Sequence, residues 1–487
     1  MTSDITQADT LDPTDWQTFD AAIETVLDAA REKLQTAATQ SRVWTPTPDA
    51  LKESLSSGLP TNGLSDLDLA NRMVELLPYG VGNTHPRFFG WVHGSGSANN
   101  LLAEIAASAM NANCGGRDHA AIYVERQVID WCRTLFGFPE ESSGLVVSGT
   151  SMATIIAAKT ARDVALGFES RKHGVSNANL VGYTSSEAHS CLARAFDMLG
   201  LGTDALRKIP VTADFRIDLD ALLAQIRVDR AAGLQPFMLA GTAGTVNTGA
   251  IDDLDALATL AEQEQIWFHI DGAFGACGIL SDNVAPRLTG IERADSLAFD
   301  FHKWMHVNYD AGCVLIRDGD AHRRAFASRP DYLAANGVAL AGGEPWPVDF
   351  GPELSRGFRA LKVWAHFLGH GTKRIGDMIS KNCAQARYLG ERVQAAKPLQ
   401  ALAPVSLNIC CFRYVADGLS EPELDALNTA LVARLQSDGI AAPSTTRIQS
   451  RLAIRVNITN HRTRMSDIDV LIEAVIRIGD DLTQSRR

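Results

Sequence analysis

The sequence predicts an α/β protein: a large domain with a mainly parallel sheet, a smaller C-terminal α+β domain and an N-terminal helical arm. Short apolar runs such as GLVVS (144–148) and IWFHID (266–271) alternate with helical segments after about residue 100. Strands that are apolar on both faces and separated by helices are typical of a parallel sheet. Two later runs, at 406–415 and 451–459, alternate apolar and polar residues as antiparallel strands do.

Composition and charge restrict the class of protein. Of the 487 residues, 46% are hydrophobic and 21% are charged, close to the globular average. The 45 basic residues are scattered and outnumbered by 57 acidic ones, so we expect no nucleic-acid partner. No apolar run reaches the ~18 residues of a membrane helix, and the N-terminus lacks a signal-peptide pattern. We therefore expect a cytoplasmic protein without a membrane partner, whose eight cysteines are buried thiols.

Residues 1–85 are predicted to form the helical arm. Apolar residues at helical spacing indicate one helix over 15–39 and a second over 65–77, with Ser65 as the N-cap of the second. Two prolines separate these helices. Amphipathic helices that precede any strand cannot form a core alone, so the arm must pack against the main body or against another subunit.

The remaining elements divide the chain into a large domain, 86–372, and a small domain, 373–487. The predicted helices lie at about 101–110, 123–136, 149–162 and 359–368. The predicted strands of the large domain lie at 144–148, 179–184, 236–244, 266–271 and 311–318. The segment 326–352 is rich in Gly, Pro and Ala without a sustained period, which indicates a long loop or lid.

The most informative string is FDFHKWMHVNYDAG, in which Lys303 stands between a histidine and a tryptophan. Burial lowers the pKa of a lysine, and a partly neutral amine can form a Schiff base with an aldehyde. The string therefore makes Lys303 a candidate nucleophile. A surface lysine beside an aromatic residue is the alternative interpretation of this string alone.

A second string, WFHIDGAFGA, has Asp271 at the carboxyl end of a predicted strand. Active sites of open α/β sheets lie at such strand ends. A carboxylate there can hold a protonated pyridine nitrogen, and the small Gly272 and Ala273 leave room for a flat ring. A helix cap and a metal ligand are the alternatives for Asp271.

Two further strings suggest an anion site and a stacking group. In SGTSMAT, Gly149 permits a tight turn, and the hydroxyls of Thr150 and Ser151 join free amides at a helix N-terminus, which suits a phosphate monoester. An ordinary helix cap is the alternative. In SSEAHSCLARA, His189 begins a helix, where a neutral imidazole can stack on a ring; a histidine with a structural role is the alternative.

The strings SGTSMAT, EAHS, GTAGTVNTGAIDD, HIDGAFG and FDFHKW, in this order, closely resemble the group II pyridoxal-5′-phosphate-dependent amino-acid decarboxylases. The resemblance extends from about residue 84 to about residue 364. It implies pyridoxal 5′-phosphate (PLP) as the cofactor and the fold type I of PLP-dependent transferases. It also implies a homodimer with active sites at the interface.

The resemblance implies roles for individual residues. Lys303 resembles the lysine that forms the internal aldimine, and Asp271 resembles the partner of the pyridine nitrogen. Ala273 matches the small residue beneath the ring, and His189 matches the histidine that stacks on it. The other implied cofactor contacts are Thr150, Ser151, Thr245 and His302. Lys303, His189 and Asp271 are thus the predicted catalytic residues.

No metal site is predicted. His302 and His306 are four residues apart, as zinc ligands on a helix are, but HExxH and a third ligand are missing. The resemblance instead implies decarboxylation of an L-amino acid to its amine through an external aldimine. Oxidative decarboxylation–deamination to an aldehyde, Cα–Cβ cleavage and PLP binding without turnover are the alternatives.

The sequence departs from the family in one loop. Many members have a tyrosine just before the segment LSRxFRALK that is thought to protonate the substrate carbon. Here the only tyrosine in 326–352 is Tyr332, which lies early in that segment. We therefore expect Tyr332, Lys303, His189, His302 or a partner-subunit residue to supply the proton.

The substrate pocket is predicted from three aromatic residues near the start of the resemblance and from three arginines. The candidates for an aromatic pocket, with core packing as the alternative, are Phe88, Phe89 and Trp91. The candidate carboxylate binders, with surface ion pairs as the alternative, are Arg87, Arg117 and Arg356. An aromatic amino acid is one substrate class consistent with this set.

Overall fold

The computed structural model describes residues 10–175, 178–328 and 337–485. Within these ranges the strands form one seven-stranded and one five-stranded sheet, with helices packed against both. This arrangement confirms the predicted α/β class. Tyr332, the predicted lid tyrosine, lies outside the described residues.

The N-terminal arm contains three helices, α1 (Trp16–Thr36), α2 (Asp49–Ser54) and α3 (Asp66–Leu76), and a short strand, β1 (Phe88–Phe89), follows it. α1 and α3 are the predicted helices, and the side chains of Asp15 and Ser65 cap them by accepting backbone N–H groups. The two helices contact each other. Even so, Trp16, Leu69 and Met73 remain 60%, 48% and 46% exposed, so an apolar face of the arm is uncovered in the single chain.

The larger sheet is built from strands that alternate with helices along the chain. Its strands are β2 (Ser143–Val147), β3 (Leu180–Ser185), β4 (Leu206–Ile209), β5 (Gln235–Thr242), β6 (Trp267–Asp271), β7 (Ser296–Asp300) and β8 (Gly312–Ile316). The helices of this region are α4 (Asn99–Met110), α5 (Ala120–Phe136), α6 (Thr150–Ala165), α7 (Ser170–His173), α8 (Cys191–Met198), α9 (Leu219–Ala231), α10 (Leu254–Glu264), α11 (Gly319–Phe326) and α12 (Arg359–Ala395). Short 3-10 helices lie at Leu77–Tyr79, Thr203–Ala205, Gly275–Leu280, Ala285–Leu288, Ile291–Arg293, Ala339–Ala341 and Pro347–Phe350. The sequence missed β4, where Arg207 and Lys208 interrupt the apolar run, and β7.

The strand order of the larger sheet is β2-β8-β7-β6-β5-β3-β4. The strands from β4 across to β7 pair in parallel, whereas β8 is antiparallel to both of its neighbours. The prediction of a mainly parallel sheet is confirmed. Because β5, β6 and β7 are parallel, their carboxyl ends meet at one edge, where Thr242 pairs with Asp271 and Asp271 with Ala298.

The smaller sheet has the order β1-β11-β12-β10-β9. Its later elements are β9 (Leu399–Ala401), β10 (Ile409–Tyr414), α13 (Glu421–Ser437), β11 (Ala442–Ile448), β12 (Arg451–Asn457) and α14 (Met465–Gln484). β10 and β12 are antiparallel, as the alternating runs predicted. β1 joins this sheet in parallel with β11, with Phe88 opposite Ala442. Two residues predicted for the large domain therefore belong to the smaller sheet.

α12 is longer than the predicted helix at 359–368 because it continues past a break. Gly371 has φ 71° and ψ 155°, a conformation that favours glycine, and the helix resumes after it. The predicted domain boundary after residue 372 lies beside this break. The limits 1–85, 86–372 and 373–487 remain predictions.

Two further sequence expectations concern membranes and cysteines. Among the residues that the structure describes, no helix is both long and apolar enough to cross a membrane. All eight cysteines are free and buried, as predicted. Burial raises the pKa of the Cys114 thiol to about 11, so this thiol remains protonated at neutral pH.

Candidate active site

Lys303 lies just after β7, at the edge where the parallel strands end. Its Nζ is 2.9 Å from Oδ2 of Asp300, and its side chain is 22% exposed. Burial lowers the pKa of Lys303. The charge and hydrogen bond of Asp300, together with the charge of Asp271, raise this pKa by more than burial lowers it, so the net pKa is above its usual range. The predicted partly neutral amine is wrong for this state, because Asp300 holds Lys303 as an ammonium.

Asp300 is a site residue that the sequence analysis missed. Its Oδ1 accepts a 2.6 Å hydrogen bond from the backbone N–H of Thr150, while its Oδ2 pairs with Lys303. The carboxylate therefore joins the lysine to the first residue of α6. The signal was present in the sequence, since an acid three residues before the lysine is close enough to pair with it.

The predicted anion site lies at the N-terminus of α6. The hydroxyl of Thr150 is buried and has no hydrogen-bond partner within the described ranges. Ser151 is exposed in the first helical turn, where backbone N–H groups lack intrahelical acceptors. A Cβ on Gly149 would lie 3.3 Å from Cε1 of His302, so the turn packs closely against the lysine segment. An unpaired hydroxyl and free amides suit a phosphate group.

Asp271 is buried at the carboxyl end of β6, as predicted. Its Oδ1 accepts a 3.1 Å hydrogen bond from the backbone N–H of Ala273, and the Cys191 thiol lies 3.7 Å from its Oδ2. The carbonyl of Ala273 accepts a 3.0 Å hydrogen bond from the N–H of Asp300, which connects the end of β6 to the end of β7 beside the lysine. The small side chain of Ala273 is thus fixed between the two acidic residues.

His189 and Thr245 occupy the flanks of this edge. His189 is exposed, and its Nδ1 accepts a 3.2 Å hydrogen bond from the backbone N–H of Cys191, the residue whose thiol contacts Asp271. The Thr245 hydroxyl forms a 2.9 Å hydrogen bond with the Thr248 hydroxyl and accepts another from the backbone N–H of Ala250. Thr245 therefore stabilises its own turn, whereas His189 has a free ring face.

His302 and His306 do not form a metal site. Nδ1 of His302 accepts from the N–H of Ala311 at 3.1 Å, and its Nε2 is 3.7 Å from Asp300. The ring of His306 instead lies against that of His461, with centroids 5.2 Å apart. Across the described part of the chain, no three His, Cys, Asp or Glu residues are arranged to hold a metal ion.

A row of rings leads from the surface to the lysine segment; we call Trp91, His93, Tyr309 and His302 the aromatic wall. Successive ring centroids are 5.7, 6.1 and 4.4 Å apart. Trp91 is 53% exposed and Tyr309 is 46% exposed. Phe88 lies behind this wall, buried with Val43 and Ala442, so its predicted place in direct contact with substrate is not supported.

Arg356 is not available to a substrate carboxylate. Its Nη2 and Nη1 lie 2.7 and 3.0 Å from the two carboxylate oxygens of Glu125, and the two side chains are 1% and 6% exposed. Burial lowers the pKa of Arg356, but Glu125 raises it more. Arg117 is also engaged, 4.7 Å above the ring of Trp346. The prediction of Arg356 as a substrate residue is corrected to a buried structural ion pair.

Comparison with known proteins identifies the family. The family model described as "Pyridoxal-dependent decarboxylase conserved domain" matches residues 48–415, more than half of the chain. The chain belongs to this family. It is therefore a PLP-dependent amino-acid decarboxylase, a carboxy-lyase of fold type I, as the resemblance implied.

Individual relatives cover most of the chain. It is 32% identical over 444 residues to the aromatic-L-amino-acid decarboxylase of Bacillus atrophaeus, with 90% of each covered. It is 29% identical to the L-2,4-diaminobutyrate decarboxylase of Rhizobium meliloti (strain 1021), with 88% of each covered. The crystal structure of Oryza sativa TDC with PLP and tryptamine has a TM-score of 0.89 at 24% identity, with 97% of this chain and 100% of that chain covered. This last likeness shows the shared fold.

The side chains at the strand edge fit PLP. The unpaired Thr150 hydroxyl and the start of α6 suit its phosphate, and Lys303 lies within reach of the same segment through Asp300. A buried carboxylate at Asp271 suits a protonated ring nitrogen. These are the donor and acceptor types that the cofactor requires.

Proposed function

We propose that this decarboxylase acts on an L-amino acid with an aromatic side chain and releases the corresponding amine. The observation that carries the proposal is the aromatic wall, which ends at His302, the residue next to Lys303. Flat rings beside the reactive lysine favour a flat apolar side chain. The 32% identity to an aromatic-L-amino-acid decarboxylase supports the same class.

The proposed roles follow from the positions of the side chains. When bound, PLP withdraws electrons from the α-carbon of the substrate. Lys303 is the amine that holds the cofactor aldehyde, and Asp271 keeps the ring nitrogen protonated. His189 covers one face of the ring with its exposed imidazole, and Ala273 leaves space on the other.

The phosphate end has its own set of residues. Thr150 binds the phosphate with its hydroxyl, because its amide already donates to Asp300, and Ser151 binds it with its hydroxyl and amide at the start of α6, where the helix dipole also favours an anion. His302 fixes the lysine segment through its hydrogen bond from Ala311 and its contact with Gly149. Thr245 shapes the turn after β5 rather than reaching the cofactor with its bonded hydroxyl.

We further propose a cytoplasmic location. Eight free, buried thiols support it, because long chains in oxidising compartments commonly pair their cysteines. Fractionation of cells that express the full chain with a tag tests this location. Recovery of the protein outside the cytoplasmic fraction contradicts it.

The oligomer is proposed to be a homodimer, with a second copy of this chain covering the arm. Apolar side chains are exposed on α3 (Leu69 and Met73) and also on α4, where Leu102 is 70% and Ile105 47% exposed. Exposed apolar surface of this kind is unfavourable in water. A two-fold interface would cover the same apolar surface on both copies of the chain. Active sites are proposed to lie near this interface.

The dimer makes a direct prediction for light scattering. The full chain should have twice its chain mass, and Leu69→Glu combined with Met73→Glu should dissociate or aggregate it, since each places a charge in the apolar contact. Lys373→Glu, at an exposed position paired with Asp377, is the matched control and should stay dimeric. A monodisperse, active monomer of the full chain contradicts the proposal.

A panel of L-amino acids tests the proposed substrate class. The PLP-loaded protein should release CO2 and amine in equal amounts, with kcat/KM for tryptophan, tyrosine or phenylalanine at least about tenfold above that for glutamate or 2,4-diaminobutyrate. Burial of an aromatic ring against the wall is worth ~1.5–3 kcal/mol, and 1.4 kcal/mol is tenfold. Preference for a charged side chain contradicts the proposal; aldehyde and ammonia without amine indicate the oxidative alternative.

A further inference from the structure

We infer that His306 is a positioning residue: through a cluster of four imidazoles it fixes the turn that carries Lys303. The inference rests on the proposed attachment of PLP to Lys303 and adds to it a residue that orients this lysine. His306 is 3% exposed and lies three residues after Lys303. Because the described residues do not support a metal site at His306, its buried ring needs another explanation.

The backbone at His306 has an uncommon conformation. Its φ of 59° lies in the left-handed region, which residues other than glycine seldom occupy. The N–H of His306 donates to the carbonyl oxygen of Lys303 at 3.3 Å, which closes a turn over the fully buried Trp304 and Met305. Such a conformation persists only where the surrounding contacts impose it. The direction in which the Lys303 side chain leaves this turn therefore depends on what holds His306.

Four imidazoles from three segments meet at the turn; we call His306, His366, His370 and His461 the imidazole cluster. The ring centroids of His306 and His461 are 5.2 Å apart, and those of His366 and His370 are 4.7 Å apart. The charges of the second pair act on the ring of His306, so the two pairs are neighbours. His366 and His370 belong to α12, and His461 follows β12. The cluster thus joins the lysine turn to α12 and to the region of the smaller sheet.

A short segment before α4 packs on the turn and contacts the ring of His306. A Cβ on Gly94 would lie 2.6 Å from the carbonyl oxygen of Lys303, so this segment touches the lysine backbone directly. The hydroxyl of Ser95, which is 1% exposed, is 3.3 Å from Nδ1 of His306. The imidazole is therefore held at its Nδ1 as well as by the neighbouring rings.

The same segment holds two further rings of the imidazole cluster. The hydroxyl of Ser97 is 3.0 Å from Nδ1 of His366. Nε2 of His461 is 3.1 Å from the carbonyl oxygen of Gly96, and since a carbonyl only accepts, the Nε2–H of His461 donates. Three rings from three different segments are thus bonded to consecutive residues, which fixes them relative to one another.

The imidazole cluster is stable only while its rings are uncharged. The charged groups that act most strongly on the rings are all basic; besides the rings themselves they are Arg374, Lys381 and Arg462. Burial, together with these charges, lowers the pKa of His366 to about 3 and that of His461 to about 4, and holds the pKa of His306 well below its usual value.

The direction of the pH dependence follows from these lowered pKa values. A histidine whose pKa is lower in the folded than in the unfolded protein contributes its full stability above the unfolded value of 6.5. That contribution is lost as the pH falls below 6.5, by up to about tenfold per pH unit for each ring. Mild acid should therefore loosen the lysine turn.

His306→Gly tests the inference, because glycine adopts the same φ without strain but has no ring. Visible circular dichroism of the lysine-bound cofactor depends on how the protein orients that group. This signal, per cofactor bound, should change by at least twofold while the far-ultraviolet spectrum stays native. We expect kcat to fall by roughly tenfold or more, because misplacement of a reacting group is costly, whereas KM should stay within threefold of wild type.

His306→Asn is the conservative variant. Asparagine tolerates the left-handed conformation, and its amide reaches the place of Nδ1 beside Ser95. At neutral pH it should restore the visible signal and kcat to within threefold of wild type. It also removes one ring that can take up a proton. The midpoint at which acid abolishes the visible signal should therefore move to lower pH than in wild type, by about 0.3 pH units.

His322→Asn is the matched control. His322 is also a fully buried histidine with a serine hydroxyl at Nδ1, that of Ser143 at 2.8 Å, and burial lowers its pKa to about 3. It lies on α11, which does not carry the lysine turn. Its replacement should lower the thermal stability but leave the visible signal per bound cofactor, kcat and KM unchanged.

Three results decide the inference. A wild-type visible signal and kcat in His306→Gly, or equal changes in His322→Asn, would show that His306 only supports the fold. If His306→Gly does not fold, Ser95→Ala decides, since it removes only the hydroxyl at Nδ1; a visible signal that matches wild type from neutral pH down to the acid midpoint would overturn the inference. If wild type itself carries no cofactor on Lys303 after borohydride reduction, the proposed attachment fails, and that result precedes any variant.

Discussion

Lys303→Ala should abolish decarboxylation while the protein stays folded. The variant removes the amine that pairs with Asp300 at the strand edge, and with it the covalent attachment of PLP. We expect activity to fall by at least the roughly 10²–10⁴-fold that one positioned proton-transfer group contributes, since attachment is lost as well. The visible absorption of the lysine–cofactor bond should disappear.

The folded state of this variant needs its own control. Removal of Lys303 leaves the buried Asp300 with its hydrogen bond from Thr150 but no ammonium partner, at a cost of about 3–5 kcal/mol in the free energy of unfolding. Circular dichroism should nevertheless show the native fold. Lys373→Ala, which removes an exposed lysine on α12, should keep full absorption and activity. Full activity in Lys303→Ala would contradict the assignment of Lys303 as the residue that binds PLP.

Asp271→Asn should reduce kcat by roughly 10²–10⁴-fold, because the amide cannot hold the ring nitrogen in its positive form. The two side chains have the same shape, so the contacts to Ala273 and Cys191 can persist. PLP should still bind, since Lys303 and the start of α6 are unchanged. Stopped-flow measurement of CO2 release gives the rate.

Asp295→Asn is the matched control for this prediction. Asp295 lies before β7, at the opposite end of the same strands, and its Oδ2 accepts from the N–H of Phe268 at 2.7 Å. Both variants replace an acid with its amide next to β6, but only Asp271 faces the lysine edge. Equal losses in the two variants, or a near wild-type rate in Asp271→Asn, would contradict the proposed role.

The residues predicted for the site lie together in the structure where neighbouring strands bring them to one edge. Lys303, Asp271 and the turn at Thr150 each follow a short buried strand, and a parallel sheet brings such strand ends to one edge. Local strings predicted the strand ends at Asp271 and Thr150, whereas β7, the strand before Lys303, was missed, and the lysine was identified from its own string and from the family resemblance. The cofactor was implied by the family resemblance that these strings carry.

The sequence could not predict contacts between distant segments. Arg356 pairs with Glu125, 231 residues away, and nothing local to Arg356 shows that its guanidinium is already occupied. Phe88 joins β11, so its burial depends on residues of the smaller sheet. The pKa of Lys303 was predicted in the wrong direction, because burial alone was considered and Asp300 was not.

The most direct test of the account is to reduce the PLP-loaded protein with borohydride and map the modified peptide by mass spectrometry. The reduced protein should carry a single phosphopyridoxyl group, attached to Lys303. Because Asp300 holds Lys303 as an ammonium, attachment of PLP to the cofactor-free protein should also become faster as the pH rises toward the pKa of the lysine. A label on another lysine, or none after reduction, would contradict the central claim that Lys303 binds the cofactor.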